Sequence, residues 1–256
     1  MKVQVINSLI STGSYPEAID RIFSLRETRP SSYVCFANVH MVMEAYQDTH
    51  FQQILNDADM AAPDGKPIAK VAGWQLGRDQ DRVAGMDVMP DLLAEASRRG
   101  KSVYFYGNTQ KVLDALTAKI RQKLPDLRIA GAYSPPFRPL SEAEQAEVID
   151  MINEAKPDFI FVSLGCPKQE KWMAQHRGKV QGVMLGVGNA FNTYAGLEKR
   201  SPRWMQKLSL EWLYRLMQEP QRLWKRYLVT NSQFIWLFLR SYRKNKQLAR
   251  SFARAK

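Results

Sequence analysis

The chain has 256 residues, 45% of them hydrophobic and 24% charged, a composition that suits an ordinary globular protein of one large domain or one domain plus an appendage. Its two cysteines, Cys35 and Cys166, lie far apart with no metal-ligand spacing, so reduced thiols in a cytosolic protein are expected. The net charge of +12 is uneven: residues 1–197 hold 22 Lys+Arg and 22 Asp+Glu, whereas residues 198–256 hold 15 against 3. A neutral body with a cationic tail suits an anionic membrane surface or nucleic acid as partner.

The first five residues lack a basic stretch followed by a long apolar core, so no signal peptide is expected. Residues 1–31 are weakly patterned, with a short helix expected around Pro16–Leu25. Tyr33–Ala37 reads as a strand. Asn38 follows it, before the helical apolar pattern of Val39, Val42, Met43 and Tyr46, and so is a candidate helix cap. His40 and His50 read as solvated or helix-packed. Pro63-Asp64-Gly65 is a turn signal; after a short apolar strand and before a helix, it can also aim a carboxylate into a cleft. The pairs Asp57-Ala58-Asp59 and Asp79-Gln80-Asp81 have a spacing that can hold a divalent metal, but isolated pairs are common and neither is read as a metal site.

Arg82–Asp87 leads into a helix ending near Arg99. Ser102–Thr109 reads as a strand, a turn and a helix start; its Gly107-Asn108-Thr109 can present N–H groups to a phosphate, and the helix runs to about Lys123. Arg128–Tyr133 is a further strand, and Ser141 to Glu144 a capping box starting a helix to about Ala155. Strand and helix in alternation mean βαβ units and a mainly parallel sheet with helices on both faces. Two more buried-looking strands, one in the stretch that starts at Phe159 and one that leads into Leu185-Gly186, each end in a Gly-containing turn, with polar residues following at once: Gly165 to Glu170, and Gly186-Val187-Gly188-Asn189. Such turns form a ligand site at the carboxyl edge of an α/β sheet.

Beyond Arg200 the character changes. Trp204, Leu208, Trp212, Leu213 and Leu216 have helical spacing and predict a packed face. Glu219-Pro220 ends that segment and starts another helix, on which Arg222 and Arg226 share a face. The 13 residues Tyr227–Leu239 lie between Arg226 and Arg240. A helix that long spans about 20 Å, short of a hydrocarbon core of about 30 Å, and its Trp, Phe and flanking cations read as a helix in the membrane interface.

Taken in order, Asn38, Pro63-Asp64-Gly65, Arg82-Val83-x-Gly85-x-Asp87, Gly165-x-Pro167-Lys168-Gln169-Glu170-x-Trp172, Gly186-Val187-Gly188, Ala195-Gly196, Arg200-x-Pro202-x-Trp204, Glu211 to Leu216 and Glu219-Pro220-x-Arg222-x-x-x-Arg226-Tyr227 resemble the WecG/TagA/CpsF family of bacterial glycosyltransferases. The set covers roughly residues 30–227. The resemblance implies a Rossmann-like α/β catalytic domain (1–199) with a basic, helical, membrane-associating appendage (200–256). It implies an inverting enzyme, without metal or other cofactor, that moves a sugar from a UDP-sugar to a saccharide on polyprenyl diphosphate. The site would be cytoplasmic, on the inner face of the membrane, in exopolysaccharide, capsule or cell-wall polymer synthesis. The family's base falls on Asp64, and Asn38, Arg82 and Gln169 match pocket positions. Asp87, Gly107, Asn108, Gly186, Gly188 and Asn192 complete the expected substrate-binding set, and Arg215, Arg222 and Arg226 would bind diphosphate. Two positions depart from the family's pattern: Phe36 where Thr is frequent, and Asn192 where Asp is common.

Two other classes compete. A nucleic-acid-binding protein accounts for the basic tail, but the unbroken run Phe234–Leu239 suits lipid better than bases, so no nucleic-acid partner is expected. A nicotinamide-dependent oxidoreductase needs a glycine-rich turn after the first strand, where this chain has Ala37-Asn38-Val39. Self-association that buries part of the tail is compatible with the sequence.

Overall fold

The computed structural model describes residues 1–207 and 210–254; the side chains of Arg203, Lys207, Arg222, Lys225, Arg226 and residues 241–256 lie outside that description. A six-stranded sheet forms the centre. Its strands are β3 (Ser31–Ala37), β4 (Met60–Pro63), β5 (Ser102–Gly107), β6 (Arg128–Tyr133), β7 (Phe159–Ser163) and β8 (Gly182–Gly186), in the order β4-β3-β8-β7-β5-β6. Every pairing is parallel, so all carboxyl ends reach one edge. The fold is the expected α/β class, with helices on both faces.

The period of two along each strand builds two cores. Val34, Phe36, Phe105, Phe161 and Leu185 face α1 (Tyr15–Thr28), α5 (Gly85–Arg98), α6 (Gln110–Lys123) and α9 (Ala190–Ala195). Tyr33, Cys35, Tyr106, Val162 and Met184 face α2 (Val39–Gln47), α3 (Thr49–Asp57), α4 (Lys66–Leu76), α7 (Glu142–Glu154) and α8 (Lys168–His176). Phe105, Phe161, Ile160 and Val162 are wholly buried, as a sheet covered on both faces requires. The expected caps form: Asn38 Oδ1 accepts from the Met41 N–H at 3.1 Å, and Ser141 makes a capping box with Glu144.

The structure departs from the sequence reading in three places. Residues 2–11 form an antiparallel hairpin, β1 (Lys2–Val5) and β2 (Ser8–Ser11), whose Val5 and Ile10 are buried in the second core. Past residue 200 the helical pattern is divided into α10 (Arg203–Lys207) and α11 (Glu211–Gln218). Trp204 is exposed, and Trp212 is only partly covered, its ring 5.9 Å from that of Tyr227, while α10 packs through the buried Met205; Leu208 lies outside the described residues. The segment 227–239 is the middle of a far longer helix, α12 (Pro220–Arg254). It is not wholly an interfacial face, since Phe234 and Leu237 are buried in the second core. No helix among the described residues is long and apolar enough to cross a membrane.

Candidate active site

One cleft of about 1720 Å³ opens along the carboxyl edge of the sheet. Asn38 enters it from the end of β3, Asp64 from β4, Asn108 from β5, Ser163 from β7, and Gly186 and Gly188 from β8. Residues of α4, α11 and α12 close its sides.

Asp64 stands on a turn fixed by backbone: its N–H donates to Ala37 O at 3.0 Å, and the Val83 N–H donates to Pro63 O at 2.9 Å. Because Asn38 Oδ1 is engaged with α2, its Nδ2 is left to donate to the Asp64 carboxylate. Burial is the largest influence on that carboxyl and pushes it up to about 6, against the opposing pull of Arg82, Arg215 and Asn38. A part-exposed carboxylate titrating there is ionised at neutral pH and a better proton acceptor than an ordinary one.

Gln169 is buried in the cleft wall at 4% exposure. Its Nε2 donates to Gly186 O at 2.9 Å and to Glu170 Oε1 at 2.7 Å, so both amide hydrogens are used and Oε1 has no partner among the described residues. Gly186 leaves room for this packing: a Cβ there would lie 2.7 Å from the end of the Met173 side chain and 3.0 Å from the Gln169 amide, so both would have to shift. Glu170 beneath it is fully buried, and burial raises its carboxyl to about 7. On the far wall, Asn108 holds a left-handed backbone (φ 64°) and its Nδ2 donates to Ser163 Oγ at 3.2 Å and to Asn192 Oδ1 at 3.3 Å. Asn192 Nδ2 in turn donates to Asn189 Oδ1 at 2.8 Å and Glu198 Oε1 at 2.9 Å. Gly107, with φ 106°, is a position where a Cβ would strike Ser163 O at 2.5 Å.

The cleft's rim carries a closed ring of four charges. Arg82 pairs with Asp87 at 2.5 Å and with Glu211, and Arg200 pairs with Asp87 at 2.6 Å and Glu211 at 3.4 Å. Burial disfavours the Asp87 charge, but the bonds from Arg200 and Arg82 outweigh it and hold that carboxyl below the usual range. Two members lie before and within α5; the others lie before α10 and at the start of α11. Arg215, one turn after Glu211 on the same helix face, lines the cleft within electrostatic reach of Asp64.

Of the expected residues, the cleft brings together Asn38, Asp64, Arg82, Asn108, Gln169, Gly186, Gly188 and Arg215. Asp87 faces the ion-pair ring instead of the cleft, Gly107 shapes the turn beneath Asn108, and Asn192 stands behind the wall, bonded to Asn108. The side chains of Arg222 and Arg226 lie outside those described. Phe36 also lines the cleft, its ring packed where a Cβ on Gly85 would come within 3.2 Å. In the Asp-x-Asp pairs, Asp59 is buried between Arg29 and Arg177 and accepts the Tyr33 N–H at 3.0 Å, and Asp81 accepts the Tyr15 N–H at 2.9 Å. Sequence reasoning did not single out Glu211, Arg200 or Glu198 as site residues. The first two lie inside recognised motifs, and only their partners reveal their use.

The model of the Glycosyl transferase WecG/TagA/CpsF family matches residues 3–248. A Bacillus subtilis (strain 168) protein named N-acetylglucosaminyldiphosphoundecaprenol N-acetyl-beta-D-mannosaminyltransferase is 34% identical over 192 residues, 75% of this chain and 73% of its own. The protein of that name from Bacillus spizizenii is 34% identical over 201 residues (77% and 75%), and the one from Staphylococcus aureus (strain MW2) is 28% identical over 207 residues (80% and 78%). Matched over almost its whole length, the chain belongs to the WecG/TagA/CpsF family of glycosyl transferases.

Proposed function

We propose that this chain transfers a sugar, with inversion, from a UDP-sugar to a saccharide carried on polyprenyl diphosphate, in the synthesis of a cell-wall polymer, capsule or exopolysaccharide. The observation that carries this reading is Asp64: a carboxylate on a rigid turn at the bottom of the cleft, held by Asn38, with Arg82 and Arg215 beside it. Asp64 takes the proton from the acceptor hydroxyl as its oxygen bonds to the anomeric carbon. The bond from that carbon to the UDP oxygen breaks on the opposite face, and UDP leaves with the electron pair. Arg215 and backbone N–H groups at the strand ends, with Arg222 and Arg226, balance the leaving charge without a metal.

Residues 1–199 then act as the catalytic domain and 200–256 as an appendage that completes the site and meets the inner face of the cytoplasmic membrane. Trp224, Leu228, Ile235 and Leu239 are all exposed and fall on one stripe of α12 at spacings of four and seven. An apolar stripe on a helix rich in Lys and Arg supports binding in a lipid interface.

The test is transfer of labelled sugar from a panel of UDP-sugars to polyprenyl-diphosphate glycans in liposomes, with and without a chelator. One donor should give a lipid-linked product, Asp64→Asn should give none, and the chelator should leave the rate unchanged. Product from the Asn variant, or inhibition that added metal reverses, would overturn the assignment of the base or the metal-free chemistry respectively.

A further inference from the structure

The cleft extends well past Asp64, and its far end is built differently. The helix α4 starts two residues after Asp64. Its positions 66, 70 and 74 share one face at steps of four residues, about 6 Å each. These are Lys66, Lys70 and Trp74, and all three line the cleft. Moving out from Asp64, the wall therefore presents a carboxylate, two ammonium groups and then an indole. Across from the indole stand Ile235 and Phe238 of α12, which also line the cleft, with the Phe238 ring 5.4 Å from that of Trp74. Trp74 and Ile235 are 64% and 56% exposed, so the apolar end is open and runs into the exposed stripe of α12.

That order has a chemical counterpart. A prenyl-diphosphate glycan presents a hydroxyl, then a diphosphate, then a branched hydrocarbon, in one line. We infer that the α4–α12 wall is the seat of the acceptor's lipid end, with Lys66 and Lys70 on its diphosphate and Trp74, Ile235 and Phe238 around its first isoprene units. This deepens the function proposed above and rests on it. It also divides the cations: α4 lysines serve the acceptor, which leaves Arg215 of α11 for the departing UDP. Three observations carry it: the base-to-indole order on one helix face, the continuity with the catalytic cleft, and the opening of its apolar end onto the exposed stripe.

Binding tests it independently of turnover. The full chain would be titrated with dimethylallyl, geranyl and farnesyl diphosphate below their aggregation concentrations, without vesicles. Affinity should rise about tenfold per added isoprene unit, as burying roughly a third of five carbons gives. Trp74→Ser and Ile235→Ser, both at exposed positions that the fold tolerates, should reduce that increment below about threefold. Lys70→Gln should weaken all three ligands alike and lower the salt dependence. Leu9→Ser, an exposed apolar site outside the cleft, should change nothing. Affinity independent of chain length, or a chain-length increment that survives both cleft variants, would overturn the seat. A chain-length increment in a protein that transfers no sugar would retain the seat and count against the proposed reaction instead.

Discussion

At the scale of the residue, the role proposed for Asp64 comes with a cost to the fold. Its carboxyl is raised from 3.8 to about 6, chiefly by burial. The folded state therefore holds the proton more tightly than the unfolded chain. The stability this group contributes is full below about pH 4, is lost as pH rises through about 6, and is absent at pH 8. That displacement corresponds to a ceiling of about 3 kcal/mol, and solvent access reduces it to about 1 kcal/mol. Asp64→Asn should thus raise the denaturant midpoint at pH 8 by about that amount, leave it unchanged at pH 4, and lower transfer by at least ~1000-fold. In the wild type, kcat/KM should fall below about pH 6 with a slope of one. An acid limb near 4, or a variant no more stable at pH 8, would mean that Asp64 is not desolvated in the working enzyme.

At the scale of the element, the ring of Arg82, Asp87, Arg200 and Glu211 matters more than any one of its pairs. Each arginine bridges both carboxylates, and the ring ties α11 to the start of α5. Fastening Glu211 fixes Arg215 one turn on, next to Asp64. Under the proposed function Asp87 and Arg200 are therefore positioning residues, and their effects should not add. Asp87→Asn and Arg200→Gln should each lower kcat/KM about tenfold, and the double variant should do no worse than either alone, a coupling of about 1.4 kcal/mol. The acid limb of the pH profile should rise in all three as Arg215 withdraws. Additive losses with an unmoved limb would reduce the ring to surface ion pairs. This was only partly legible in the sequence. Strand runs such as Arg128–Tyr133 and caps such as Asn38 and Ser141 are local, and each is legible in the sequence. The motif order also carried the family and the position of Asp64. The hairpin 2–11 was missed because its strands are four residues each and their burial depends on distant helices. The ring was missed because charges 129 residues apart, such as Arg82 and Glu211, carry no local signal.

At the scale of the whole molecule, the charge asymmetry and the apolar stripe make separable demands on a membrane. Residues 198–256 carry 15 cations against 3 anions, and each cation near an anionic bilayer contributes about 1 kcal/mol, screened as the Debye length falls from about 10 Å at 0.1 M salt to about 3 Å at 1 M. The burial of the stripe Trp224, Leu228, Ile235 and Leu239 is not screened by salt. Removing residues from 200 onward tests neither cleanly, because Phe234 and Leu237 would leave the core with it. Surface variants separate the two. The full chain should float with anionic vesicles at 0.1 M salt and be only partly released at 1 M. A Trp224→Ser, Leu228→Ser, Leu239→Ser variant should float at 0.1 M and be released almost fully at 1 M, since of the stripe only Ile235 remains beside its charges. If the variant and the wild type leave the vesicles at the same salt concentration, the stripe does not enter lipid and the attachment is electrostatic alone. If neither floats, the tail's cations act within the cleft or on another partner. The membrane would then reach this enzyme only through the lipid of its acceptor.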